Sequence, residues 1–263
     1  MNNTSSLQGP SNWKTHINTR ASTSRIYACI MCALVFSVYE NKTTAQEPGA
    51  NTNTEFTSIF DGKTLKGWSV MPAAAHKAWS AKEGMIEGVG SKGRSYLVYD
   101  RHDIADLELK LSYRFVGKGN SGVSIRAIVD KTKKRGFQSY HADFGHVGIG
   151  KQVLGAWDFH TPGRREHRCF RGDRLVIDEN DKPTITAIKS ALTAADVHKG
   201  KWNRVHIIAK GNNFKLYIND KLSSEFTENL PKKRRLDRGM IQLQLHDPGM
   251  VVQFKDVQLK VTR

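Results

Sequence analysis

"RFVGKGNSGVSIRA", residues 114 to 127, joins two alternating runs through a glycine-rich break and carries an arginine inside the second run. Ahead of the break, Leu107, Leu109, Leu111, Tyr113 and Phe115 fall on one side of an extended chain. Glu108, Lys110, Ser112 and Arg114 fall on the other. After it, Val123, Ile125 and Ala127 continue an apolar face, with Ser124 and Arg126 opposite. Successive side chains of a strand point to opposite faces, so the pattern predicts half-buried antiparallel strands connected by the glycines. Arg126 is thereby expected on a polar face, and the question is what that face does.

The same signal recurs along the chain. "WNRVHIIAKGNNFKLYINDKL" reads as a hairpin: Val205, Ile207 and Ala209 alternate, Gly211-Asn212-Asn213 turns, and Phe214, Leu216 and Ile218 alternate again. Asn219-Asp220 marks the next tight turn. In "GMIQLQLHDPGMVVQFKDVQLKV" the alternation changes phase between Phe254 and Val257, which predicts a β-bulge near Lys255-Asp256. Helical signal is confined to "TAADVHKG", with Thr193 as its cap. Many short strands separated by Gly, Asn and Asp turns predict an all-β antiparallel sandwich or barrel. Leu109, Leu111, Val123, Ile125, Ile207 and Leu243 are its expected core. Gln242, Gln244 and His246 on one strand are expected to share a polar face with Ser124 and Arg126 on another.

The 263 residues suffice for one large β domain, and 38% apolar content is enough for a real core. Residues 1 to 46 read as a leader and secretory signal. A polar stretch with Lys14, Arg20 and Arg25 precedes the thirteen-residue apolar run Ile26 to Val38, too short to span a bilayer comfortably. Ala45 is a suitable small residue for a cleavage site. Residues 47 to 55 read as a linker and 56 to 263 as the sandwich, giving a periplasmic or secreted protein with no stable membrane span after processing. Cys29 and Cys32 lie in the apolar run, so Cys169 would remain alone, and one cysteine builds neither an intrachain disulfide nor a zinc site.

The net charge is +16, and four of the basic residues precede residue 47, so the basicity belongs to the folded part. Charge informs about association rather than fold. The run "PKKRRLDRG", 231 to 239, has no interleaved aromatics and no nucleic-acid motif, so it reads as a solvated loop, and nucleic acid is not an expected partner. An ordinary retaining glucanase needs two carboxylates about 5 Å apart; the Glu-x-Asp-x-x-Glu strand pattern that supplies them is absent, and "VIDEND" has the wrong spacing.

"FTSIFDGKTLKGW", "ADLELKLSYRFVGKGNSGVSIRA", "YHADFG", "GKWNRVHIIAKGNNFKLYINDKL" and "GMIQLQLHDPGMVVQFKDVQLK" occur in that order over about residues 56 to 261. Together they resemble the 3-keto-disaccharide hydrolase domain family. The resemblance implies a concanavalin-like jelly-roll sandwich acting on glycosides oxidised at C3, with an oligosaccharide or other glycoside as substrate. It also carries over Asn120, Gly122, Arg126, Asp143 and His246. Three positions depart from the family's usual residues, namely Ser112, His141 and Asp247; the first two support an alternative, a non-catalytic carbohydrate-binding module.

On the enzyme reading, His246 or Asp143 is the expected base, and Arg126 or a divalent cation the expected electrophile. His141, Asp143 and His246 are the candidate metal ligands, His141 and Asp143 sharing a face if their segment is a strand. Asn120, Ser124, His141, Trp157, Asp158 and Gln244 are the expected substrate contacts, with His160 beside them. Trp157 lies in the longest irregular stretch and is the expected sugar platform, in preference to Trp68 and Trp79; Trp202 is expected in the core. The step needs no redox cofactor, and no Gly-rich dinucleotide motif is present.

Overall fold

Period-two alternation is what builds the two sheets. The computed structural model describes residues 55–132, 136–145, 152–161, 166–167 and 169–262. The expected signal segment and all of the linker but its last residue lie outside these. Among the described residues, ten strands form the larger sheet and six the smaller. The larger runs in the order β11 (Pro183–Ala187), β10 (Asp173–Ile177), β14 (Lys221–Glu228), β13 (Asn213–Ile218), β12 (Asn203–Lys210), β6 (Leu107–Phe115), β16 (Val251–Val261), β4 (Met85–Val89) and β3 (Trp79–Lys82). The short β1 (Thr57–Ser58) adds to β16. The smaller runs β2 (Trp68–Met71), β5 (Ser95–Tyr99), β15 (Met240–Leu245), β7 (Gly122–Val129), β8 (Phe137–Asp143) and β9 (Trp157–His160). Pairing is antiparallel throughout except between β10 and β14.

The expected core forms. Leu109, Leu111, Val123, Ile125, Ile207 and Leu243 are buried in one cluster between the sheets, each worth roughly 1.5–3 kcal/mol of transfer free energy. The β13–β14 turn is Asn219-Asp220, with φ of 49° and 66°; two left-handed residues match the twist of the flanking strands. The bulge expected near Lys255-Asp256 is present: the β16–β6 register shifts between Lys255 and Gln258, and Asp256 has φ 53°. Thr193 caps the short turn Ala194–Asp196, its N–H and hydroxyl both donating to the Asp196 carboxylate.

A second bulge changes the reading of the opening stretch. The β7–β8 register shifts between Ile125 and Ile128, and Arg126 has φ 49°. That left-handed residue inverts the alternation, so the Arg126 side chain turns in with Ile125 instead of out with Ser124. Its guanidinium lies 4.8 Å from the Phe214 ring centre. It donates to the Ala105 and Leu236 carbonyls and to Asp106 at 3.0–3.1 Å, and the residue is only 2% exposed. Arg126 is therefore a buried cross-tie between the sheets and does not share the outer polar face, contrary to the sequence expectation.

Candidate functional site

The outer face of the smaller sheet holds the polar cluster. Cross-strand register places Gln242 opposite Ser124, Ser124 opposite His141, and His141 opposite Asp158. Opposite residues share a face, so one row crosses β15, β7, β8 and β9. Ser139 donates to Ser124 Oγ (3.2 Å), and Ser124 Oγ lies 3.0 Å from His141 Nδ1. With Ser124 donating onward, His141 carries its proton on Nε2. That N–H is buried and has no partner among the described residues. It sits above Gly122, where a Cβ would stand 2.5 Å from Nε2 and strike the Ala142 carbonyl as well. Glycine is what lets the imidazole lie against the strand.

His141 stacks on His160 with ring centres 5.1 Å apart, and His160 Nε2 donates to Asp158 at 2.8 Å. Two cavities flank this row. One of about 390 Å³ is lined by Arg94, Tyr96, Phe137 and His160; the other, about 490 Å³, by Asp143, Asp158, Glu166 and His167. The Asp158–His160 pair thus faces both.

A second cluster adjoins the first. His246 Nδ1 donates to Asp247 Oδ1 (2.6 Å), and Arg94 donates to His246 Nε2 (2.7 Å). Asp247 also accepts from the Asn120 backbone N–H at 2.8 Å, while the Asn120 side chain hydrogen-bonds Asp143. Asn120 therefore joins the His246–Asp247 pair to Asp143.

Burial sorts the charges. It pushes the Asp143 carboxyl from 3.8 up to about 8, reinforced by the charge of Asp158 and opposed by hydrogen bonds from Gly145 and Asn120. Asp143 thus holds a proton at neutral pH and is an acid, where the sequence reading made it a candidate base. Burial, and next the neighbouring His160, drive His141 down from 6.5 to about 3, so it is a neutral donor. Burial works to raise the Asp158 carboxyl, but hydrogen bonds with His160 and Glu166 outweigh it and leave Asp158 well below its usual range. Two carboxyls in one cavity are thereby separated into a proton donor and an anion.

The structure brings together Asn120, Ser124, His141, Asp143, Asp158, His160 and His246, and removes Arg126. Gln244 lies opposite Tyr96 on the adjoining strand, outside the cross-strand row. Trp157 is also displaced from its expected role: it is 2% exposed and packs edge-on to Phe214 and Phe226, so it is core and no sugar platform. Trp68 and Trp79 are core too. Trp202 is half-buried under Arg114 and Lys255 instead of in the core. Ser112 faces outward from the larger sheet, away from this cluster, and bonds Asp256. Arg94 is the residue the sequence reading missed. Its signal is its place two residues before Tyr96, on the same face of an incipient strand.

The candidate ligands do not fit a metal. Among the described residues no group of three or more His, Cys, Asp or Glu side chains converges on one point. His246 uses both nitrogens, on Arg94 and Asp247, and His141 Nδ1 is held by Ser124.

Solved structures resemble this sandwich. A candidate glycosyl hydrolase of Parabacteroides distasonis shares 17% identity at TM-score 0.52, over 79% of this chain and 94% of its own. A structure from work on endo-acting O-glycanases of human gut bacteria that initiate mucin breakdown shares 10% at TM-score 0.53, over 81% and 100%. At such identities the likeness is one of fold. No curated protein sequence matches the chain. The family model described as the 3-keto-alpha-glucoside-1,2-lyase-like domain matches residues 55–260, nearly the whole sandwich, and the chain belongs to that family.

Proposed function

We propose that the protein cleaves 3-keto-glycosides by β-elimination, and the observation that carries this is the contact between Arg94 and His246. The C3 ketone acidifies the C2 proton and draws charge onto its oxygen. The reaction therefore needs a base and a cation over adjacent atoms. Arg94 and His246 supply them side by side. When the ketone oxygen replaces Nε2 as the acceptor for Arg94, the Nε2 lone pair is released towards C2–H. Asp247 on Nδ1 fixes the tautomer and stabilises the imidazolium that forms.

Electron and proton bookkeeping then closes. His246 takes the C2 proton, and the C–H pair forms an enolate whose oxygen faces Arg94. The enolate reforms the ketone, the C1–C2 double bond forms, and the C1–O bond breaks. Asp143 gives its proton to the departing oxygen. Water adding across the double bond yields the free 3-keto sugar. His141 Nε2–H is a further donor to a substrate oxygen. The decisive experiment is turnover of a 3-keto-glucoside in D₂O, followed by mass analysis. Deuterium at C2 of the released sugar supports elimination; C–H retained there through complete cleavage would refute it.

A carbohydrate-binding module is the second reading, favoured by one observation: His141 stands where the family usually has another residue. Saturable binding of 3-keto-glucosides without product would establish it. Export to the periplasm or medium is part of the proposal, resting on the Ile26–Val38 run, with the native chain starting between about residues 39 and 47. N-terminal sequencing that recovered residues 1 to 38 on the native protein would end it.

A further inference from the structure

On the outer face of the larger sheet, cations stand on aromatic rings at two places. Arg114 and Lys255 lie 4.7 and 4.8 Å from the Trp202 ring centre. Lys110 and Lys260 lie 4.2 and 6.0 Å from that of Phe56. Lys110 and Arg114 are four residues apart on β6, which separates the two stacks by roughly 13 Å. Between them Ser112 is the small side chain in the outward row, and a cavity of about 330 Å³ opens over it, lined also by Arg204, His206 and Gln258.

The carboxylates of this groove are already engaged. Asp220 pairs with Arg204, Asp256 with Lys255, and Glu108 with His206 and Lys260. Among the described residues, neither Lys110 nor Arg114 has a carboxylate within ion-pair distance; Arg114 donates to the Gln253 amide. Resting on a ring orders a cation while leaving N–H groups for an outside acceptor. The N–H groups that these cations hold out favour an anionic ligand over a neutral one. What the groove offers is a spaced positive row, on a chain of net charge +16.

We propose that the groove over Ser112 is a second carbohydrate site, holding an acidic polysaccharide, sulfated or uronate, through Lys110 and Arg114, with the carboxylate-paired Arg204 and Lys255 beside them. It lies on the opposite sheet from the cleavage cluster and does not depend on the reading of that cluster. Its occupant would keep the protein on an anionic glycan while the other face works.

The test is affinity electrophoresis of the full chain in gels containing dextran sulfate, polygalacturonate or neutral dextran, with oligothymidylate as competitor. The wild type should be retarded by at least one of the two acidic polymers and not by dextran, with retardation falling as salt is added. Whichever polymer acts identifies sulfate or carboxylate as the recognised group. Lys110→Ser with Arg204→Ser should weaken binding about tenfold. Ser112→Glu, which fills the cavity with negative charge, should weaken it as well. Lys232→Ser with Lys233→Ser removes the same charge from a distant loop and should leave binding unchanged. Equal binding by wild type and the groove variants would overturn the proposal. So would an equal loss in the loop variant, or displacement by oligothymidylate at lower concentration than by free acidic polymer.

Discussion

Arg94 Nη2 lies 2.7 Å from His246 Nε2, so an imidazole accepts a hydrogen bond from a guanidinium. On the proposed mechanism, the resting site stores its cation against its own base. Substrate has to exchange one acceptor for another before either group acts. Arg94→Ala should lower turnover of a 3-keto-glucoside by on the order of a hundredfold or more, because the enolate loses its counter-charge. Arg94→Lys should recover only part, a point charge replacing a planar fork. Steady-state kinetics beside thermal unfolding checks this; unchanged turnover in the alanine variant would clear Arg94 of any role.

His246 and Asp247 should act as a pair. His246→Asn should abolish exchange of the C2 proton with D₂O, whereas Asp247→Asn should slow it while leaving substrate binding measurable. If the double variant is no worse than His246→Asn alone, Asp247 works through His246 and not independently. Additive losses would separate them.

Asp143 should matter according to the leaving group. A protonated carboxyl helps an alkoxide depart far more than a phenolate, which leaves without a proton. Asp143→Asn should therefore depress cleavage of a 3-keto-disaccharide strongly and of a nitrophenyl 3-keto-glucoside little. An equal loss on both substrates would return Asp143 to a binding or structural role.

Asp143 and His141 also set opposing pH slopes on stability. Between pH 3.8 and about 8 the folded Asp143 keeps a proton that the unfolded chain has released, so its contribution declines as pH rises. Between about 3 and 6.5 the folded His141 lacks a proton that the unfolded chain holds, so its contribution grows. The two oppose each other up to 6.5, leaving the decline of Asp143 from there to about 8. Denaturant titrations should show that decline in the wild type and not in Asp143→Asn. Parallel curves for the two proteins would mean that folded Asp143 is ionised at neutral pH.

Arg126→Ala should cost stability more than chemistry. Removing one partner of a buried ion pair destabilises by about 3–5 kcal/mol, because Asp106 and two carbonyls each lose one donor. Turnover per folded molecule should hold at low temperature while the melting temperature falls sharply. A large loss of turnover with unchanged melting would restore Arg126 to the site.

The contrast between the two bulges explains what the sequence disclosed. In β16 the phase change falls between Phe254 and Val257 with Lys255-Asp256 between them, so polar residues mark the slip. In β7 the residues after Arg126 are Ala127, Ile128 and Val129, all apolar, and an inverted alternation leaves no trace. Core positions such as Leu109 and Ile207 were legible because burial and period coincide. Gln242, Ser124, His141 and Asp158 were legible as chemistry-bearing types; their cross-strand row is set by register, which no local pattern encodes. Trp157 misled for a related reason: an irregular stretch in sequence is a buried edge strand in space.

β16 lies between β6 and β4 in the larger sheet, and its partners in β4 are more than 160 residues earlier in sequence. Until that strand arrives, the sheet is two fragments with raw edges facing each other. Such a chain gains little from partial assembly, since a pairing of very long range is the one that unites its halves. Folding is then expected to be late and concerted, and a premature stop ahead of Val251 would leave two unpaired edges, a template for aggregation in place of a smaller domain.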